Sequence, residues 1–405
     1  MTGVQTCALP ISVLALPKSN VEKVERAGLR AEAIFPSFEE IGAALAVSEQ
    51  EATTRMLRDP DFLIRRLILH YLSDSARALD KIAKGASAIA CTQFALSAPI
   101  IAEARNIPLI PVILQPMLMM SPHDPPQTAD FWTLLKPPVT PAKLAWNRYF
   151  LFIVGLELKR RYAGRINRER RAYGLKPQTT SPIFPGPPAD ARLVLGLYSE
   201  AFAPRPPDSP PNVALAGFPS FDSDSGAPET LDPELEAFLS DGDPPLVFTL
   251  GSFAVHAAGD FYRESVAAAR ALGRRALLLT GPGQMQSAPD ALVRAYAPHS
   301  LVFPRAAAII HHGGIGTTGT ALRSGKPQLV VPHMGDQADH GARITRLGLG
   351  GMIPSKRYNA ARAGEVLGKL LADAATAQRA RDFATRILAE NGAEKGADAI
   401  ALALG

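Results

Sequence analysis

The chain has 405 residues, 47% of them hydrophobic and 20% charged, with a formal net charge of +5. Such a length exceeds one ordinary core, so two domains are expected, and the composition excludes a disordered or fibrous chain. Two cysteines exclude a disulfide framework and favour a reducing, cytoplasmic setting; no apolar run reaches the length of a membrane span.

The opening MTGVQTCALPIS lacks the basic start and the long apolar run of a signal peptide. A common short-read sequencing adapter, translated from a GTG start, spells residues 1–11. These residues are therefore read as translated adapter fused at Ser12, which leaves Cys91 and sets Cys7 aside.

From Ser12 the chain alternates strand and helix signals: SVLALP, a helix over NVEKVERAG ending at Gly28, the strand AEAIF, then helical spacing from Ser37 to Lys84. The strand SAIAC (87–91), a helix over 95–105 and the strand PLIPVIL (108–114) follow. A loop rich in proline and methionine leads to a long helix over 141–173, and short strands are expected at 191–197 and 213–216. The run Lys159–Arg171 (KRRYAGRINRERR) reads either as the solvated face of that helix or as a patch for anionic lipid or phosphate. Residues 204–233 are crowded with Pro, Ser, Asp and Gly and mark an interdomain linker.

The second half repeats the rhythm. PLVFTLGS, RRALLLTG, SLVF, AAIIHH and QLVVP are expected strands, with a helix over about 259–272, further helices after HHGG and GDQ, and an alanine-rich helical end. The fold class is thus α/β, two doubly wound halves facing a cleft. The domains are read as 12–203, a linker 204–243, 244–380, and C-terminal helices 381–405 that pack back on the first half.

Chemistry concentrates in 296–337, YAPHSLVFPRAAAIIHHGGIGTTGTALRSGKPQLVVPHMGDQ. Gly313, Gly314 and Gly316 follow an apolar strand and open a helix. Such a turn brings backbone N–H groups and the positive end of a helix dipole against a phosphate. Thr317 and Thr318 add hydroxyls, and His312 stands at the strand's end. Asp336 and Gln337 follow the next strand, where they suit sugar hydroxyls or cap the next helix. A glycine turn alone is equally a tight strand-to-helix turn; the spacing of both motifs together favours a ligand site.

This segment resembles the donor-binding signature of the UDP-glycosyltransferase family, of GT-B architecture, and above all its bacterial sterol- and macrolide-type members. The resemblance runs from about Ser12 and is strongest over 296–350. It implies that Tyr296, Pro298 and His299 hold the nucleobase and ribose, with tyrosine standing for the family's tryptophan. It implies that Gly251, Ser252, His312, Gly313, Gly314, Gly316, Thr317 and Thr318 hold the diphosphate, and that Asp336 and Gln337 hold the sugar. Thr320 stands where plant-type members carry a ribose-binding glutamate, which leaves UDP- and dTDP-linked donors both open.

The implied activity is inverting, metal-independent transfer of a hexose from a nucleotide sugar to a lipophilic hydroxyl acceptor, with no metal site and no cofactor beyond the donor. Its partners are small molecules, not nucleic acid, with a peripheral membrane contact through Lys159–Arg171 as the further possibility. The family's base follows the first strand, whereas SVLALP resembles the second. The first strand and helix of the N-terminal domain, and the base with them, are therefore expected to be missing. His123 and Asp124 are the candidates within the chain, each equally an ordinary loop residue; His256 is comparable. His70 reads as a core or acceptor-wall residue, and Met117, Met119 and Met120 as core or an acceptor pocket. The alternatives are a sugar-nucleotide-binding protein without transferase activity and a GT-B sugar-nucleotide epimerase.

Overall fold

The structure, a computed structural model, describes residues 12–46, 51, 55, 59–127, 134–221, 229–251, 258–281 and 285–405. The adapter reading of residues 1–11, Ser252 and His256 lie outside the described residues.

β1 (Val13–Pro17) leads through α1 (Val21–Arg26) to β2 (Arg30–Phe35), and the two strands pair in parallel with Val13 opposite Arg30. α2 (Phe38–Leu45) starts at a capping box, in which Ser37 Oγ accepts from Glu40 N–H and the Glu40 carboxylate accepts from Ser37 N–H. Helical turns Pro60–Phe62 and Leu63–Ile68 lead to α3 (Leu72–Ile82). β3 (Ile89–Thr92), α4 (Ser97–Arg105) and β4 (Leu109–Ile113) follow. α5 (Pro141–Ala172) has proline in its first turn and Thr140 as its cap. β5 (Val194–Gly196) and β6 (Val213–Leu215) complete a four-stranded parallel sheet, β3-β4-β5-β6. This sheet therefore reaches into the 204–243 segment read as linker. β1, expected to be a second strand, forms a ladder with β2 alone among the described residues.

The second half is built on one six-stranded parallel sheet. α6 (Pro233–Ser240), capped by Asp232, precedes β7 (Leu246–Thr249), α7 (Phe261–Ala271), β8 (Ala276–Leu279) and β9 (Ala291–Arg294). Then come α8 (His299–Val302), β10 (Ala308–His311), α9 (Ile315–Ser324), β11 (Gln328–Val330), α10 (Gln337–Arg346) and β12 (Gly350–Met352). The order is β12-β11-β10-β7-β8-β9, the doubly wound order with its switch point between β7 and β10.

Two expectations need correction. SLVF is helical, not a strand: Pro298 stands at the N-cap of α8, and the chain continues into the turn Phe303–Arg305. A four-residue apolar run cannot tell the two periods apart. His70 is exposed, its ring edge-on to Tyr71, and is not a core residue.

α11 (Ala360–Ala372), α12 (Ala374–Leu388) and α13 (Gly392–Leu404) close the chain. Ala399, Ile400, Ala403 and Leu404 of α13 pack against Ile110, Leu195 and Ala216 of the first half. Phe383 and Ile387 of α12 share a buried cluster with Met117, Met119, Tyr198 and Phe202. Met117 and Met119 thus fill core between the halves, while Met120 packs beside Leu135 and Val154.

Candidate functional site

β10 and β11 lie side by side, with Ile310 opposite Leu329 and His311 opposite Val330. Their parallel run delivers His312–Gly314 and Pro332–Asp336 to the same sheet edge, the C-terminal edge where open α/β sheets bind ligands.

Two glycines shape this edge. Gly313 has φ +91°, and a Cβ there would lie 2.7 Å from Val330 Cγ1 and 2.9 Å from the Gln337 carbonyl. Gly251, after β7, has φ +67°, and a Cβ there would lie 2.6 Å from the His312 ring. The turns after β7 and β10 therefore close on one imidazole, and only glycine fits both positions. Helix α9 then opens at Gly314 with no side chain capping it. Its first backbone N–H groups are directed at the edge, with the positive end of the helix dipole. Gly316 is exposed there, Thr317 half-buried and Thr318 buried. His312 Nδ1 and Thr318 Oγ1 are buried without a hydrogen-bond partner. Unpaired buried groups of this kind are costly in an empty site and useful in one that takes a polar ligand.

Burial sets the charge state of the histidines. His311 is fully buried; its Nδ1 accepts from Gly313 N–H at 3.1 Å, so Nε2 carries the proton and donates to Gln328 Oε1 at 3.0 Å. Desolvation pushes its pKa down to about 4. Burial, aided by the neighbouring histidines, pushes His312 well below its ordinary value. Both are neutral at pH 7. The unfolded chain holds protons on these groups from about pH 6.5 downward, whereas folded His311 resists until about pH 4. Stability is therefore expected to fall with acidification through this window. His311 alone contributes a loss of about 2 kcal/mol between pH 7 and pH 5. Urea unfolding at the two pH values checks this, with a smaller difference expected for His311→Gln.

Asp336 and Gln337 stand where β11 feeds α10. Asp336 is at the N-cap position, but its side chain makes no capping bond. Its carboxylate is a quarter exposed, burial raises its pKa, and a hydrogen bond from Gln115 of the first half partly offsets the rise. The Gln337 amide oxygen accepts from the N–H groups of His333 at 2.8 Å and Met334 at 3.1 Å, which fixes the turn beside Asp336. One turn on, fully buried His340 places Nδ1 2.7 Å from the Gly313 carbonyl and 3.8 Å from Asp336. Its Nε2 is buried and unpartnered. His340 ties the β11 turn to the β10 turn, and nothing in the local motif singled it out beforehand except its spacing four residues after Asp336.

On the same edge, Tyr296 is exposed, Pro298 starts α8, and the His299 ring stacks on Phe303 at 4.4 Å and 13°. Thr320 donates to the Gly316 carbonyl at 3.1 Å, within its own helix.

The loop after β4 crosses to this half. Gln127 N–H donates to Asp339 Oδ1 at 3.1 Å. Arg343, 1% exposed, donates from Nε to Asp339 and from Nη1 to Asp124, both at 2.7 Å. Arg346 adds a longer pair to Asp124 at 3.7 Å. Burial opposes the Arg343 charge, but the Asp339 and Asp124 carboxylates more than compensate and hold its pKa above the ordinary value. The candidate Asp124 is thus an ion-pair partner of the donor-side helix. His123 is half-buried, with its backbone N–H on Ser121 Oγ at 3.0 Å. Among the described residues, no group of three or more His, Cys, Asp or Glu is arranged to hold a metal ion, and no helix is long and apolar enough to cross a membrane.

Two doubly wound halves, with a glycine turn and an Asp–Gln pair on adjacent strand ends of the second, make an α/β protein of GT-B architecture. Residues 280–401 match the family described as "Erythromycin biosynthesis protein CIII-like, C-terminal domain". The chain is 38% identical over 200 residues to O-mycaminosyltylonolide 6-deoxyallosyltransferase of Streptomyces fradiae, covering 49% of this chain and 46% of that protein. It is 30% identical over 302 residues to vancomycin aglycone glucosyltransferase of Amycolatopsis orientalis, covering 72% and 70%. Among solved structures, the kitacinnamycin glycosyltransferase superposes with a TM-score of 0.68 at 17% identity, covering 97% and 91% of the two chains. The glycosyltransferase VinC, solved with dTDP, gives 0.64 at 18%, covering 96% and 92%. The chain belongs to the GT-B glycosyltransferases of the macrolide and glycopeptide type. The aligned part spans about half the length of the first of these relatives and 70% of the second.

Proposed function

We propose that this chain is a hexosyltransferase that moves a sugar from a UDP- or dTDP-linked donor to a hydroxyl of a lipophilic small molecule, with inversion and without a metal or cofactor. One observation carries the reading: the uncapped α9 N-terminus beside His312, and Asp336–Gln337, stand on neighbouring strand ends in register. The first suits a diphosphate and the second a sugar. In transfer, negative charge grows on the leaving diphosphate, and the helix N-terminus with a neutral imidazole N–H answers it. The exposed Tyr296 face suits a stacked base. The names of the relatives, and the dTDP in the VinC complex, support a thymidine-linked donor and an aglycone acceptor.

The setting proposed is cytoplasmic, with a peripheral contact to anionic lipid. On α5, exposed Trp146, Tyr149, Ile153 and Leu156 continue into exposed Arg160, Arg168 and Arg171, an amphipathic stripe that supports such a contact.

A second reading, donor binding without transfer, is favoured by one fact. The Asp124 carboxylate is engaged by Arg343 and is not free to take an acceptor proton. Calorimetry with UDP-glucose, dTDP-glucose and UDP, followed by turnover assays with phenols, sterols and macrolides, separates the readings. Binding with turnover is the expected result. Binding without turnover supports the second reading, and no binding to any nucleotide would falsify both.

A further inference from the structure

Two fully buried histidines hold the peptide groups of Gly313. Its N–H donates to His311 Nδ1 at 3.1 Å, and its carbonyl lies 2.7 Å from His340 Nδ1. A carbonyl only accepts, so His340 Nδ1 carries the proton and Nε2 keeps the lone pair. That Nε2 is buried without a partner, and the Phe202 ring of the first half lies 6.0 Å from the imidazole. An unpaired buried acceptor is a cost that an apolar side chain at this position would avoid. The polar ring is therefore worth keeping for what Nδ1 holds. Close packing brings it there: a Cβ on Gly341 would lie 2.6 Å from Met352 Sδ and 3.1 Å from Val330 Cγ1, so α10 lies tight on β11 and β12.

We propose that His340 is a positioning residue for the leaving diphosphate, a role that rests on the transfer reaction proposed above. By holding the Gly313 carbonyl against α10, it turns the Gly314 N–H outward as a phosphate donor. No described peptide bond is cis. In a trans peptide the carbonyl and the following N–H point in opposite directions. A Gly313 carbonyl directed at a buried imidazole on α10 therefore sends the Gly314 N–H away from α10. Among the described residues that N–H meets no acceptor, and Gly314 is half-buried at the start of α9. It thus joins the uncapped N–H groups of α9, beside His312, whose Nε2 a Cβ on Gly314 would strike. The same edge of the His340 ring lies 3.8 Å from Asp336 Oδ2. One ring keeps the diphosphate turn and the sugar-binding turn in register without itself touching the donor.

The test compares His340→Leu, His340→Gln and His340→Asn in the full chain. An asparagine amide nitrogen stands where histidine has Nδ1, and a glutamine amide nitrogen where it has Nε2. Calorimetry should give dTDP affinities about tenfold lower for His340→Leu and His340→Gln, with His340→Asn within about threefold of the parent. A role in filling space alone gives the reverse order, because glutamine is nearer to histidine in volume. Thymidine, which lacks the phosphates, should bind all four chains alike. With a dTDP-sugar, kcat should fall about tenfold or more in His340→Leu, while the KM for the acceptor stays at the parent value. In the parent labelled with 15N-glycine, the Gly314 amide signal should move on addition of dTDP, a readout that needs no variant to fold. Parent-like dTDP affinity in His340→Leu, equal losses in His340→Asn and His340→Gln, or a Gly314 amide indifferent to dTDP while other amides respond would each overturn the proposal and leave the transferase reading standing. A parent chain that binds no nucleotide would overturn both.

Discussion

Arg343→Met is expected to destabilise the protein by about 3–5 kcal/mol, the usual consequence of removing one partner from a buried ion pair. Arg343 and Asp339 are 1% and 0% exposed in their side chains, and they face each other along one turn of α10. Without the guanidinium, Asp339 keeps only Gln127 N–H among the hydrogen bonds seen here, and a buried carboxylate with one donor is poorly solvated. The same substitution frees Asp124 from Nη1 and weakens the contact between the 115–127 loop and the donor half. Arg343→Met combined with Asp339→Leu should recover much of the loss, because the fully buried carboxylate goes with its partner and the remaining Asp124 is a fifth exposed and keeps Arg346. Urea unfolding of the parent, the single variant and the double variant checks this. A single variant within about 0.5 kcal/mol of the parent, the range of ordinary surface substitutions, would show that the network is solvated rather than buried.

That network also marks where sequence reading stops. The two doubly wound halves were legible because parallel strands buried on both faces give short apolar runs at regular spacing, as in PLVFTL and RRALLL. The β10 turn was legible because HHGGIG combines glycines that the backbone needs with a histidine whose ring one of them touches. By contrast, Arg343, Asp339 and His340 look like the polar residues of any surface helix. Their burial comes from the 115–127 loop laid over α10, a contact between residues some two hundred positions apart, and no local period encodes it. SLVF misled for the opposite reason: four residues carry too little pattern, and the flanking prolines decide the matter. The short strand expected at 213–216 is present as β6, inside the proline-rich 204–243 stretch, and it pairs with β5.

His312→Ala is expected to lower turnover by about 10²–10³-fold, the effect of removing one preorganised donor from a developing negative charge. The residue is 8% exposed, its Nδ1 has no partner among the described residues, and burial keeps it uncharged. A neutral imidazole can offer an N–H to a diphosphate oxygen without first losing a counter-charge. Nucleoside diphosphate binding should weaken by about 10–100-fold, since a hydrogen bond to a charged group contributes about 1.5–3 kcal/mol. Turnover by the parent should show no ionisation of His312 between pH 6 and 8, because its pKa lies well below the ordinary value. Gly251→Ala acts on the same ring from the other side, as its Cβ would sit 2.6 Å from His312 Cε1. The two substitutions should therefore be partly non-additive: the clash disappears once the ring is gone, while the left-handed φ of Gly251 still disfavours alanine. Calorimetry with dTDP and initial rates with a dTDP-sugar measure both effects. Parent-like affinity and turnover in His312→Ala would place the diphosphate elsewhere and remove the central element of the proposed function.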